Sequence, residues 1–238
     1  MAGIEDLRIK IFADGADAKV MKKAYRERVV AGFTTNPTLL RKAGVNNYET
    51  FARSILKEIK DLPISFEVFS DEFEQMEKEA RKIAAWGPNV NVKIPVTNTK
   101  GESSCSLIKK LSAEGIPLNI TAILTVEQVR GVVAVLSAKS PSIISIFAGR
   151  IADTGRDPVP YMKDAAAIVR KNPNARLLWA SSRELLNIFQ AEAAGCHIIT
   201  VTDEILRKLM LVGKNLEKLS LDTVKMFYED ARSAGYKI

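Results

Sequence analysis

The sequence predicts a (β/α)8 barrel, and three observations carry that expectation. Eight short apolar runs alternate with longer amphipathic stretches along the whole chain. Spread over 238 residues, that is roughly 30 residues per strand–helix unit, the repeat of a single-domain barrel. Polar and ionisable residues gather at the C-terminal ends of the runs, where such barrels carry their chemistry. A doubly wound open sheet is the competing architecture.

The strands are expected at Lys10–Ala13, Gly32–Thr35, Ile64–Val68, Val90–Pro95, Leu118–Ile123, Ile143–Phe147, Arg176–Ala180 and Ile198–Val201. Each is short and apolar, as a parallel strand covered on both faces should be. Between them, Tyr48–Asp61, Glu72–Trp86, Ser103–Glu114, Val126–Ala138, Asp157–Lys171 and Arg183–Ala194 repeat their apolar residues every three to four positions, the signature of helices. Asp71 is placed to cap the helix that follows it. Gly115-Ile116-Pro117 separates a helix from a strand, and Gly195 falls where a left-handed helix-ending residue belongs. Ser220–Ala234 reads as an additional helix, able to close the barrel floor or reach a neighbouring subunit. No linker or low-complexity segment divides the chain, so residues 1–238 are read as one domain.

Composition narrows the function classes. The single histidine, His197, argues against a zinc site built on several histidines. Cys105 and Cys196 are too few for a disulfide framework and suit a reducing, cytoplasmic setting, where both read as packing residues. No apolar run reaches the ~18 residues of a membrane-spanning helix. Glu5 and Asp6 fall where a secretion signal needs an apolar stretch. The net charge of +7 suits anionic ligands. The cations are interleaved with acids, without the basic blocks or stacking aromatics of a nucleic-acid binder. Neither G-x-G-x-x-G nor a P-loop motif occurs, so no nucleotide cofactor is expected.

At the strand ends stand Asp14; Thr34, Thr35 and Asn36; Ser65 and Glu67; Lys93; Asn119 and Thr121; Ser145; Arg150; Ser181 and Arg183. Lys93 is the sharpest of these, a lysine inside an apolar strand. Charges there are costly unless paired or functional. Burial near other cations would favour the neutral amine, which attacks carbonyls. A lysine that snorkels to solvent, or one paired with Glu67, is the plainer alternative. Asp14 and Glu67 suit proton transfer or ordinary salt bridges. Arg150 and Arg183, with Ser181, suit phosphate oxygens or surface ion pairs. His197, Trp86 and Trp179 read as structural, and Lys100 as a solvated loop lysine.

The segments FADGAD, GFTTNPTLL, SFEV, NVKIPVT, EGIPLNITAI, SIFAGRIAD, WASSRE and AGCHIIT occur in one order from residue 12 to residue 200. In this the chain resembles the transaldolases, including the small transaldolases and their fructose 6-phosphate aldolase relatives. The resemblance implies a barrel with metal-free Schiff-base chemistry, no cofactor and phosphorylated sugar substrates. It implies Lys93 as the Schiff-base residue, Asp14 acting on the substrate C4 hydroxyl, and Glu67 working with Thr121 through a water. Asn36, Asn119 and Ser145 would hold the dihydroxyacetone hydroxyls, supported by Thr34 and Ser65. Arg150, Ser181 and Arg183 would take the phosphate. Aldolase relatives carry Gln in place of Glu67 and Tyr in place of Phe147, so this substrate pocket resembles the transferase branch. Ser182 departs from the aromatic residue of many relatives, and the loop Lys100–Ser104 is unusual. Relatives form dimers, rings of five or paired rings, which implies a homo-oligomer.

Overall fold

A computed structural model describes residues 6–237; residues 1–5, including Glu5 of the opening stretch, and residue 238 lie outside it. Eight parallel strands close in sequence order, β1 (Lys10–Asp14), β2 (Phe33–Thr34), β3 (Ile64–Glu67), β4 (Val90–Pro95), β5 (Leu118–Ile123), β6 (Ser142–Ile146), β7 (Ala175–Trp179) and β8 (Ile198–Val201). β8 pairs back onto β1, Lys10 opposite Ile198. The chain has the expected (β/α)8 architecture with a C-terminal helix. It divides into two compact units, of which Arg8–Leu206 is the barrel and the other contains the stretch from Arg207 onward.

The helices in chain order are α1 (Ala18–Arg26), α2 (Pro37–Lys42), α3 (Tyr48–Leu56), α4 (Phe73–Ala84), α5 (Cys105–Ala113), α6 (Val126–Val135), α7 (Ala148–Ala152), α8 (Pro158–Val169), α9 (Leu186–Ala193), α10 (Asp203–Arg207) and α11 (Leu216–Ser233). Their starts follow capping chemistry. Asp17, Asn36, Asn47, Thr125, Asp157 and Asn215 each accept a backbone N–H of the first turn. Asp71 does not cap α4 as expected: its carboxylate accepts the N–H and hydroxyl of Thr99 at 2.7 Å each, tying the β3 and β4 loops together. Helix α11 begins earlier than Ser220 because Asn215 caps it. Gly115 and Gly195 take the left-handed turns expected of them, at φ of 85° and 81°.

The apolar faces meet around the strands. Phe33, Ile64, Phe66, Val92, Ile94, Ile120, Ile144 and Trp179 are fully buried. Inside the barrel, Phe12, Ile143, Leu178, Ala180 and Ile198 form one apolar layer across the bore. Trp179 is a core residue, as read, and Trp86 packs edge-on against Tyr48 and Phe66. His197 is structural in the expected sense, its Nδ1 accepting the Leu177 N–H at 3.0 Å. Cys196 is buried, with its thiol pushed up to about 12 by burial, and is inert on that account.

A candidate active site at the C-terminal ends of the strands

Strand register sets the site. Asp14 lies opposite Thr34, Thr34 opposite Ser65, Glu67 opposite Lys93, and Lys93 opposite Asn119. Side chains alternate along each strand, so this row points into the bore together. Above the apolar layer it opens into a cavity of about 460 Å³, large enough for a sugar phosphate. Asp14, Thr34, Asn36, Glu67, Lys93, Thr121, Ser145, Phe147, Arg150, Ser181 and Arg183 line it, and Thr200 joins them. Ser65 and Asn119 lie in the wall behind, both fully buried.

Lys93 is 6% exposed. Its Nζ stands 3.1 Å from Glu67 Oε2 and donates to the Thr35 carbonyl at 2.8 Å. The expectation of neighbouring cations is not met: the charges nearest Lys93 are carboxylates, Glu67 in contact and Asp14 within electrostatic reach. Pairing with Glu67 and residence in the cavity, offered as alternatives by the sequence, occur together. The Lys93 proton therefore has an acceptor in hydrogen-bond range.

Burial pushes the Asp14 carboxyl above its ordinary range; the Lys93 charge and a Thr34 hydrogen bond pull it back, and Glu67 adds to the rise. The Thr34 hydroxyl donates to Asp14 Oδ1 at 2.8 Å and sits 2.6 Å from the Thr200 hydroxyl. Thr34 has one proton to give, so Thr200 donates to Thr34 and both orient Asp14. Across the bore the Ser145 hydroxyl donates to Asn119 Oδ1 at 2.7 Å, and Asn119 Nδ2 donates to Ser65 at 2.9 Å. Asn36 spends Oδ1 on capping α2 at 3.0 Å, so its amide nitrogen is the group left for a ligand. The Thr121 hydroxyl is buried and has no hydrogen-bond partner among the described residues. Ala122 beside it adopts φ of 60°, where the β5–β6 register shifts.

The two arginines are unlike. Arg183 is already neutralised by Asp153, with Nε 2.9 Å from Oδ1 and Nη2 2.5 Å from Oδ2, and it also donates to the Ser181 carbonyl at 2.8 Å. Arg150 has no carboxylate partner among the described residues and lies over the Phe147 ring, 5.2 Å from its centroid. Ser181 holds φ of 64°. It can do so against α7 only because residue 149 is glycine: a Cβ there would lie 1.6 Å from the Ser181 carbonyl oxygen. Ser182 turns inward and donates to the Thr200 carbonyl at 2.8 Å. Lys100 is exposed and paired with Glu72 at 2.8 Å, and it does not line this cavity.

Sequence reasoning missed three contributors. Thr200 was hidden because its strand reads as plain apolar sequence. Gly149 supports Ser181. Tyr48 reads as the first residue of an amphipathic helix, yet its hydroxyl accepts the Glu67 N–H at 2.7 Å and donates to the Glu67 carbonyl at 3.2 Å. Burial drives this phenol far above its ordinary range, so it stays protonated.

Comparison with known proteins gives the family. Residues 11–238 match the family described as transaldolase/fructose-6-phosphate aldolase. A Dehalococcoides mccartyi protein named probable transaldolase is 34% identical over 204 residues, covering 85% of this chain and 90% of that protein. One from a Thermoanaerobacter species, also named probable transaldolase, is 33% identical over 232 residues, 97% of this chain and all of its own length (100%). Probable transaldolase 2 of Listeria monocytogenes is 36% identical over 214 residues, 88% of this chain and 93% of its own. The chain belongs to the transaldolase/fructose-6-phosphate aldolase family, and with relatives of this name along its length it is an enzyme, a transferase.

Proposed function

We propose that the chain moves a dihydroxyacetone unit from a ketose phosphate, sedoheptulose 7-phosphate or fructose 6-phosphate, to an aldose phosphate through a Schiff base on Lys93. The observation that carries this reading is the buried Lys93 amine 3.1 Å from the Glu67 carboxylate, in a cavity that also holds Asp14.

The steps follow from the groups present. Glu67 takes a proton from the Lys93 ammonium, and the free amine attacks the ketose C2. Glu67, with the Thr121 hydroxyl and a bridging water, returns protons to the C2 oxygen, which leaves as water. The iminium withdraws electrons from the C3–C4 bond. Asp14 accepts the C4 hydroxyl proton as that bond breaks and the aldose phosphate departs. The three-carbon enamine stays on Lys93, its hydroxyls held by Asn36, Asn119 and Ser145, with Thr34 and Ser65 behind them. A second aldose phosphate enters, C3 attacks its aldehyde, Asp14 returns the proton, and hydrolysis frees the new ketose. Arg150 and Ser181 bind the phosphate, with Arg183 prepositioned by Asp153.

Phe147 favours transfer over aldol release. It has no hydroxyl to protonate the enamine or position a water for it. This chemistry needs neither metal nor cofactor and belongs in cytoplasmic sugar-phosphate metabolism, on the pentose phosphate route. No described helix is long and apolar enough to cross a membrane. We read residues 1–238 as one catalytic domain and the assembly as a homo-oligomer. Leu221, Val224, Phe227 and Tyr228 of α11 are exposed and apolar, which suits contact with a second copy. Light scattering at a multiple of the monomer mass supports that assembly, and a monomer refutes it. The test of the reaction is exchange: fructose 6-phosphate with erythrose 4-phosphate should yield sedoheptulose 7-phosphate. Rapid release of dihydroxyacetone without an acceptor would instead make the enzyme an aldolase.

A further inference from the structure

The barrel bore has a second, lower compartment that this reaction does not use. Along β1, Lys10, Phe12 and Asp14 share one face. Phe12 belongs to the apolar layer with Ile143, Leu178 and Ile198, and Asp14 lines the active-site cavity above it. Lys10 thus lies below the layer, at the N-terminal ends of the strands. The pattern repeats with Asn91 two residues before Lys93 on β4 and Arg176 two residues before Leu178 on β7. A cavity of about 620 Å³ opens there, lined by Arg8, Lys10, Asn91, Arg176, Glu192 and His197 and roofed by Phe12. In (β/α)8 enzymes this face ordinarily serves stability, and here exposed cations rim its opening.

The lining is unbalanced toward positive charge and hydrogen-bond donors. Asn91 is 8% exposed, lines the cavity, and its amide has no hydrogen-bond partner among the described residues, so it is free to meet a ligand. Lys10 makes no ion pair among the described residues. Arg176 gives Nη1 to the Pro173 and Ala175 carbonyls and has no carboxylate partner among them. The carboxylate in the lining, Glu192, accepts the Ile9 N–H at 2.8 Å and lies 3.6 Å from Arg8. His197 Nδ1 is an acceptor, so the neutral ring carries its proton on Nε2 and offers a further donor. Burial, and after it the Arg176 and Arg170 charges, hold the His197 pKa below its ordinary value.

We propose that this lower cavity binds a small metabolite carrying two phosphate charges, as a diphosphate or a sugar bisphosphate. Arg8, Lys10 and Arg176 take the phosphate oxygens, and Asn91 and His197 hydrogen-bond the ligand. The apolar layer separates this site from the catalytic one, so it is a second site rather than an extension of the first.

His197 is the only histidine in the chain, so its ring proton resonance reports the cavity without assignment. The 238-residue chain is titrated with pyrophosphate, then with fructose 1,6-bisphosphate, at constant ionic strength. The expected result is a saturable shift of the His197 resonance. In the Lys10→Gln, Arg176→Gln double variant the apparent Kd should rise about tenfold or more. Both substituted side chains are exposed, and circular dichroism checks the fold. Arg150→Gln should leave the shift unchanged. Tighter binding of the bisphosphate points to a sugar against Asn91; tighter binding of pyrophosphate points to a diphosphate, and either supports the site. No saturable shift with either probe overturns the proposal. So does a shift that persists in the double variant, or one lost in Arg150→Gln, which would place the anion in the catalytic cavity.

Discussion

Replacing Tyr48 by phenylalanine removes one oxygen atom and leaves the ring where it is. That ring is held by Phe69 at 4.5 Å, Trp86 at 5.3 Å and Phe66 at 6.0 Å between centroids, and none of these contacts needs the hydroxyl. What is lost is the clamp on Glu67, an N–H acceptor at 2.7 Å and a donor to its carbonyl at 3.2 Å. An N–H left unpaired out of water costs about 1–3 kcal/mol, so the melting temperature should fall by several degrees. If Glu67 is the proton acceptor for Lys93, loosening its backbone also slows carbinolamine formation. A penalty of 1.4–2.7 kcal/mol in that transition state lowers kcat by roughly 10- to 100-fold. KM should change by less than about threefold, because Tyr48 does not line the substrate cavity. The assay is steady-state transfer kinetics beside thermal unfolding, with the acid limb of the kcat profile followed in both proteins. A variant that melts earlier but keeps wild-type kcat and pH profile would refute the positioning role and leave Tyr48 a structural residue.

The other predictions concern charge and sterics in the same site. Asp14→Asn should abolish transfer yet stabilise the fold at neutral pH by about 0.5–2 kcal/mol. Asp14 has a raised pKa in the fold, so its ionisation costs the folded state. That cost is absent below the unfolded carboxyl pKa, grows as pH rises through the folded value, and is complete above it. Urea unfolding at pH 7 and near pH 3 checks this; a variant less stable than wild type at pH 7 would contradict it. Arg150→Gln should raise KM for phosphorylated substrates about tenfold or more, and Arg183→Gln should do less through direct contact because Asp153 already neutralises Arg183. Equal effects on KM would count against that division. Gly149→Ala forces its Cβ toward the Ser181 carbonyl and should destabilise by about 1–3 kcal/mol while weakening phosphate binding. Unchanged unfolding and KM would show that the loop yields freely.

Strands were legible because each is buried on both faces and so reads as a short apolar run. Helix α1 is absent from the sequence reading: AKVMKKAYR is short and dense in lysine and arginine, with Met21 and Ala24 its buried residues. Strand β2 keeps little more than Phe33 and Thr34, since Asn36 and Pro37 start a helix at once. The polar positions of the cavity were legible because ionisable residues inside parallel strands are conspicuous. Their partners were not, because partnership is set by register. Nothing in the sequence says that Tyr48 reaches Glu67 across 19 residues, or that Thr200 meets Thr34 across 166. The same holds for Asp153, whose role is visible only once Arg183 folds back onto it.

The central claim is a covalent intermediate on Lys93. The protein is incubated with fructose 6-phosphate, reduced with borohydride, digested and mapped by mass spectrometry. The account predicts a reduced three-carbon adduct on the peptide that carries Lys93, absent from Lys93→Met. An adduct on Lys100, or none with either fructose 6-phosphate or sedoheptulose 7-phosphate, would contradict it.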